Sequence, residues 1–260
     1  MLKMREEIKK EITENLISSF EEAGVLSLKL RNQGLKKEIK KDNTPVTNGD
    51  IEVNKIITSK IEKITPEIPI VSEESSTNKT NKNLKTFWLI DPIDGTYDYI
   101  NGRDEFTINA GLIINSKPEV GIIYAPAKNR LFYAFGKGEC YELINNKEKK
   151  LNCTKLSKQG EVKAVAYSDK LKPMIDDLHK KYNVTQYVKM KSSLKFCVIA
   201  TGEFDLYVAE PRACEWDIAA GHAILQDAGG IVTDFNGNEI LYGKKNFKNP
   251  SLILKRTKNL

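Results

Sequence analysis

Four short apolar runs in the first half constrain this chain more than any other feature. Residues 87–90, 106–114, 120–124 and 131–135 are rich in aromatic and β-branched side chains and are separated by Gly, Asn, Lys and Pro turns. That pattern predicts an antiparallel meander. Gly136-Lys137-Gly138 is a glycine-punctuated turn into one more strand. Ahead of the meander, Ile8, Ile12, Leu16 and Phe20 fall at four-residue spacing and predict an amphipathic helix that ends near Gly24. A second stripe, Ile56, Ile57, Ile61 and Ile64, predicts a helix beginning near Thr47. Beyond residue 160 the character changes. Apolar runs at 162–168, 185–190, 204–208 and 230–234 alternate with helical stretches at 174–180, from Ser192 and from Asp217. Such alternation predicts an α/β half following an α+β half. The charged patch 145–150 and the polar stretch to Gly160 mark the expected boundary, dividing the chain into domains 1–157 and 158–260.

The first strand of the meander leads into chemistry. In WLIDPIDGT (88–96) an apolar strand stops in a turn carrying two carboxylates, Asp91 and Asp94. Pro92 is expected to end the ladder, because proline donates no hydrogen bond and restricts the residue before it. Gly95 lets backbone approach a ligand, and Thr96 can open a helix whose free amides receive a phosphate. Two carboxylates spaced by a rigid turn beside such amides suit a Mg²⁺–phosphate site. Asp, Pro and Gly are also ordinary turn residues, so this segment alone does not decide.

Two further acidic motifs do. Upstream, VSEES (71–75) places Glu73 and Glu74 at the end of a short apolar run. Downstream, EWDIAAG (215–221) places Asp217 at the head of an alanine-rich helix. In this order and at these separations, the three motifs resemble the inositol monophosphatase superfamily of metal-dependent, lithium-sensitive phosphatases. The resemblance runs from residue 42 to the C-terminal region. It implies a layered α-β-α-β-α sandwich of the inositol monophosphatase and fructose-1,6-bisphosphatase type. KSSLKFC (191–197), the FTIN of 106–109 and WDIAAGHA (216–223) are similar to segments of its bacterial 3′(2′),5′-bisphosphate nucleotidase branch, the CysQ group. That branch implies removal of the 3′-phosphate of adenosine 3′,5′-bisphosphate, in sulfur assimilation and nucleotide recycling.

Carried over by motif, Glu74, Asp91 and the carbonyl of Ile93 would hold one Mg²⁺, and Asp91, Asp94 and Asp217 a second. Two such ions about 4 Å apart can neutralise phosphate oxygens, activate a water and stabilise a leaving group. Thr96, with Glu74 or Asp50 as acidic partner, would position the attacking water, and the Gly95 and Thr96 amides would hold the phosphate. Ser192, Ser193 and Lys195 would grip the rest of the substrate, with Asp217 beside them. Each residue has a plainer reading. Asp217 can cap its helix, which is compatible with binding a metal. Asp50 stands at the last place of a variant capping box, TNGD, and is either a cap or an outer ligand of a third metal. Glu73 reads as an outer or solvated acid, His222 as packing, and Trp216 as a core anchor. Lys191, where the branch has glycine, and Tyr97 depart from the nucleotidase pattern. Glu210, seven residues before Asp217, stands where inositol monophosphatases keep a sugar-binding acid, so an inositol-1-monophosphatase or related sugar phosphatase is the alternative.

Composition agrees with a small-molecule enzyme. The net charge of +6 comes from lysines spread along the chain, without a basic helix or an aromatic stacking platform, so nucleic acid is not an expected partner. Four cysteines without paired spacing and two distant histidines, His179 and His222, argue for reduced thiols and against zinc. No apolar run reaches the roughly 18 residues of a membrane span, and the charged start lacks a signal-peptide core. A cytoplasmic protein, with peripheral contact to the membrane face left open, acting as monomer or homodimer, is the expectation. A fold-keeping regulator without activity would be expected to have lost metal carboxylates, and here all are present.

Overall fold

In the computed structural model, residues 4–40, 43–75, 78–80, 83–154 and 160–260 are described. The N-terminal apolar stripe forms helix α1 (Glu6–Gln33), which buries Ile12, Leu16, Phe20 and Ala23. It does not stop at Gly24. A Cβ there would lie 2.2 Å from Cε1 of Tyr124, so the glycine is the point of closest approach to the sheet, and the helix ends at Gly34, where φ is +96°. A short antiparallel ribbon, β1 (Lys37–Ile39) and β2 (Pro45–Thr47), leads into α2 (Asn48–Ile64). Thr47 and Asp50 form a reciprocal capping box at its start.

Strands β3 (Ile70–Ser72), β4 (Phe87–Asp94), β5 (Thr107–Ile114), β6 (Lys117–Ala125), β7 (Arg130–Gly136), β8 (Glu139–Ile144) and β9 (Lys147–Lys150) form a seven-stranded sheet in chain order. Only the β3–β4 pair is parallel. The expected boundary patch at 145–150 is thus a turn and an edge strand, and the 157/158 division lies outside the described residues. Alternation along β4 divides the core. Trp88 and Ile90 face α1 and α2 with Leu16, Phe20, Val53 and Ile57, while Phe87 and Leu89 face the opposite layer.

That layer is made by the second half. Its strands β10 (Val162–Ala166), β11 (Val184–Lys189), β12 (Leu206–Ala209), β13 (Ile231–Thr233) and β14 (Leu252–Lys255) form a five-stranded sheet of order β11-β10-β12-β14-β13. β10 pairs parallel with β11 and β12, whereas β14 runs antiparallel to both neighbours, which makes the sheet mixed. After the short α3 (Thr96–Ile100) come α4 (Pro173–Lys181), α5 (Leu194–Ala200) and α6 (Glu215–Asp227). α5 and α6 pack between the sheets, and α4 covers the outer face of the smaller one through Ile175. Close approach of α6 requires glycine on the facing strands. A Cβ on Gly111 would lie 2.8 Å from the Ala220 nitrogen, and one on Gly121 would lie 2.2 Å from the Ala220 oxygen. The small residues of WDIAAG therefore serve packing. The result is the expected α-β-α-β-α sandwich. No helix among the described residues is long and apolar enough to cross a membrane.

Candidate active site

β4 does not end at Ile90. It continues through Pro92 to Asp94, and its pairing with β5 slips there, with Asp91 opposite Asn109 and Asp94 opposite Thr107. One extra residue on β4 makes a bulge, the place in a sheet where proline is tolerated. The bulge keeps Asp91 1 % exposed and brings Asp94 to the mouth of the same cleft. α6 contributes Asp217 from its first turn, α2 contributes Asp50, and the turn after β3 contributes a glutamate.

Carboxylate oxygens of Glu73, Asp91 and Asp217 lie within 4.8 Å of one another. Glu73, read from sequence as an outer acid, occupies the place expected for Glu74. The backbone explains the exchange. The Glu73 amide donates to the Ile90 carbonyl at 3.0 Å, so strand pairing persists one residue past Ser72. Beyond that bond the chain turns around Glu73 and Glu74, with the Ser75 amide donating to the Ser72 carbonyl at 3.3 Å. Glu74 instead receives the Lys40 ammonium at 2.7 Å, and the same ammonium lies 3.0 Å from Glu73.

The remaining acids have defined partners. Asp217 Oδ2 accepts from the Cys214 amide at 2.7 Å, so Asp217 is not the N-cap but the third helical residue of a capping box whose N-cap is Cys214. Asp50 Oδ2 accepts from the Thr47 amide and hydroxyl, and Asp50 Oδ1 lies 3.3 Å from Thr96 Oγ1. Thr96 Oγ1 is also 3.1 Å from the Ile93 carbonyl. Gly95, at φ +93°, is required for the turn, since a Cβ there would meet the Glu105 carbonyl at 2.9 Å.

This many buried acids repel one another. Burial first, then Glu73, Asp94, Asp217 and Asp50, push the Asp91 carboxyl well above the usual range. Burial, with Asp94 and Glu73, pushes Asp217 up to about 8. Burial pushes Glu74 up to about 7 against the pull of Lys40, and burial raises Asp50 against its Thr47 hydrogen bonds. A divalent cation would reverse this balance, because its charge favours the ionised carboxylates. The three-acid cluster is an all-oxygen set, which is the donor chemistry of a hard cation. It can hold a metal ion.

The residues expected to grip substrate sit deeper. Ser193 is 2 % exposed. Its hydroxyl lies 2.7 Å from Asp94 Oδ2, also contacts the Asp217 carbonyl, and accepts from Asn109 Nδ2 at 3.1 Å. Ser192 is buried at φ +54°, and its carbonyl receives the ammonium of Lys195. Lys195 is itself buried, and burial pushes its pKa down to about 8 against the attraction of Asp94. Together with Asp94 and Asp217 these residues line a recess of about 90 Å³ that adjoins the acid cleft of about 530 Å³. Glu210 pairs with Lys172 beside an adjoining hollow of about 340 Å³ and does not line the acid cleft. His222 packs, with Nδ1 3.0 Å from the Tyr242 hydroxyl and its pKa pushed down to about 3 by burial. Trp216 is half-buried rather than a full core anchor, with its ring 5.9 Å from Phe247 and 5.0 Å from the Lys79 ammonium. The cleft also holds four cations, Arg103, Lys189, Lys191 and Arg212, of which the sequence reading singled out only Lys191, as a departure from the pattern of its motif.

Known proteins agree with this geometry. The model of the inositol monophosphatase family matches residues 3–259. A protein of Buchnera aphidicola named 3′(2′),5′-bisphosphate nucleotidase CysQ is 38 % identical over 209 residues, covering 78 % of this chain and 76 % of its own. The Escherichia coli K12 protein of the same name is 33 % identical over 214 residues, 81 % of this chain and 85 % of its own. Among solved structures, CysQ from Bacteroides thetaiotaomicron, described as a bacterial member of the inositol monophosphatase family, superposes with a TM-score of 0.74. It is 30 % identical and covers 93 % of this chain and 95 % of its own. With a family match from end to end, the expected sandwich and an acidic cluster at its centre, the chain belongs to the inositol monophosphatase family.

Proposed function

We propose that this protein is a Mg²⁺-dependent 3′(2′),5′-bisphosphate nucleotidase that converts adenosine 3′,5′-bisphosphate and water to AMP and phosphate. The observation that carries the reading is the convergence of Glu73, Asp91 and Asp217 in a cleft that also contains Asp94 and Thr96. The relatives' shared name supports the substrate class. Glu73, Asp91, Asp94, Asp217 and the Ile93 carbonyl would hold the metal, with Glu73 in the role first expected of Glu74. When bound, Mg²⁺ supplies charge neutralisation of the phosphate and of the departing oxygen.

The chain's own groups do the rest. The Thr96 hydroxyl, bonded toward Asp50, orients a water for attack on phosphorus and passes its proton toward Asp50 Oδ1. Burial raises the affinity of Asp50 for that proton. The backbone amides of Gly95 and Thr96 hold phosphate oxygens in line, and the ester P–O bond breaks as the new one forms. Ser193 keeps Asp94 fixed. The test is hydrolysis of adenosine 3′,5′-bisphosphate and inositol 1-phosphate side by side, with Mg²⁺ and with chelator. Faster, chelator-sensitive turnover of the nucleotide is expected. A preference for inositol 1-phosphate would replace this reading with the inositol monophosphatase alternative.

A further inference from the structure

Strand β5 presents alternate faces to the two core layers. Ile108, Ala110 and Leu112 join the layer of α1 and α2, so Thr107, Asn109 and Ile113 face α5 and α6. Around them that face is apolar, with Leu89, Ala219 and Ala220. Two polar side chains in such a place call for a reason. Asn109 is 1 % exposed and Thr107 is fully buried. Neither Asn109 Oδ1 nor Thr107 Oγ1 has a hydrogen-bond partner among the described residues. Buried polar atoms without partners cost stability. What the Asn109 side chain does have is one bond, from its Nδ2 to Ser193 Oγ at 3.1 Å. Ser193 Oγ lies in turn 2.7 Å from Asp94 Oδ2 and contacts the Asp217 carbonyl. Chemistry gives these bonds a direction. An amide nitrogen only donates, so Asn109 occupies a lone pair of Ser193 and leaves the single hydroxyl proton for an acceptor. A carboxylate that holds a metal only accepts, and Asp94 can take that proton. The four groups come from β5, the turn before α5, β4 and α6, so four elements meet at one oxygen. Segments 106–109 and 191–197, both similar to the nucleotidase branch, touch through this contact.

We propose that Asn109 is a positioning residue of the metal site, fixing the Ser193 hydroxyl, and through it the Asp94 carboxylate, in the orientation that receives a divalent cation. This rests on the metal-dependent phosphatase reading of the cleft. It accounts for a buried amide whose carbonyl end is left unsatisfied, since the nitrogen end is the one the site uses. Thr107, equally buried on the same face, makes no bond to Ser193 and provides the comparison.

The test titrates metal-free protein with Mn²⁺, which suits the same oxygen ligands as Mg²⁺, and counts the free ion by electron paramagnetic resonance. Wild type is compared with Asn109→Leu, Asn109→Ala, Thr107→Val, Ser193→Ala and the double variant Asn109→Leu with Ser193→Ala. Asn109→Ala needs no added room and covers the case in which leucine does not fit. Each folded Asn109 variant should bind Mn²⁺ about 2- to 10-fold more weakly, the equilibrium equivalent of one hydrogen bond. Thr107→Val should bind as the wild type does. The double variant should bind no more weakly than Ser193→Ala alone, because Asn109 acts through that hydroxyl. Unchanged affinity in the Asn109 variants, with or without a lower unfolding midpoint, would give the amide a packing role and overturn the inference. A further loss in the double variant, or an equal loss in Thr107→Val, would place the effect outside the bond to Ser193 and overturn it as well. A wild type that binds no Mn²⁺ would overturn the metal-dependent reading itself, and this inference with it, before any variant is made.

Discussion

Replacing Ser193 with alanine separates two roles for one hydroxyl. If Ser193 grips substrate, its loss should depend on which substrate is used. The structure points elsewhere, because the hydroxyl joins Asp94 Oδ2 at 2.7 Å to Asn109 Nδ2 at 3.1 Å inside a wall where Ser193 is 2 % exposed. Ser193→Ala removes a hydrogen bond to a carboxylate, a contribution of about 1.5–3 kcal/mol. Asp94 is then free to turn away from the cleft. Loss of such a supporting partner of a metal ligand typically weakens metal binding about 10- to 100-fold. Titrating Mg²⁺ against initial rate, with adenosine 3′,5′-bisphosphate and then with 3′-AMP, reads this directly. The Mg²⁺ concentration for half-maximal rate should rise by that factor on both substrates, with kcat partly recovered at high Mg²⁺. An unchanged Mg²⁺ requirement with a loss confined to the bisphosphate would refute the reasoning and return Ser193 to substrate recognition.

The two adjacent glutamates give a second contrast: Glu73→Gln should reduce kcat by about 100-fold or more, since it removes charge from the three-acid cluster, while Glu74→Gln should cost less than 10-fold in a parallel rate assay. Asp227 on α6 accepts from the Gly136 amide at 2.9 Å, and burial pushes its carboxyl up to about 7. The folded state therefore holds that proton more tightly than the unfolded chain, and stability is lost as pH rises from about 4 to 7. Asp227→Asn keeps the acceptor and should lose this component, so unfolding by denaturant should show the variant gaining on wild type across that window and running parallel above it. Parallel curves throughout would contradict the assignment. Gly121→Ala would drive a methyl to 2.2 Å from the Ala220 oxygen and should lower stability by about 1–3 kcal/mol, seen as a reduced midpoint in the same unfolding assay. An unchanged midpoint would mean that α6 is not pressed against β6 at this point.

Features legible in the sequence depend on neighbours along the chain. The capping box of Thr47 and Asp50, the apolar run of β4 and the turns of the meander are set by local hydrogen bonding and by residue type, so they could be read one segment at a time. The same holds for the acids of the site as a group, because Asp91, Asp94 and Asp217 sit in motifs whose turn chemistry is local. Gly24 was not legible in this way. A glycine inside a helix carries a local penalty of about 1 kcal/mol relative to alanine, and here contact with Tyr124 outweighs it. Pro92 reads as a strand stop until β5 supplies a partner against which one residue can bulge.

What only the tertiary structure decided is which way side chains face. Glu73 rather than Glu74 joins Asp91 and Asp217 in the turn after β3, where the Glu73 amide stays tied to the Ile90 carbonyl of β4. Ser193 and Lys195 look like ready polar contacts in sequence, but they are buried where α5 packs against α6. Lys191 and Arg212, 21 positions apart, meet on Tyr167 only when β10, β11 and the approach to α6 are brought to one cleft. By itself the sequence determined the chemistry available, an oxygen-rich cluster for a cation and a phosphate, because residue type and local turn geometry are properties of the chain. Register and layer packing determined which of those groups point into the cleft, because they arise from contacts between segments that are distant along it.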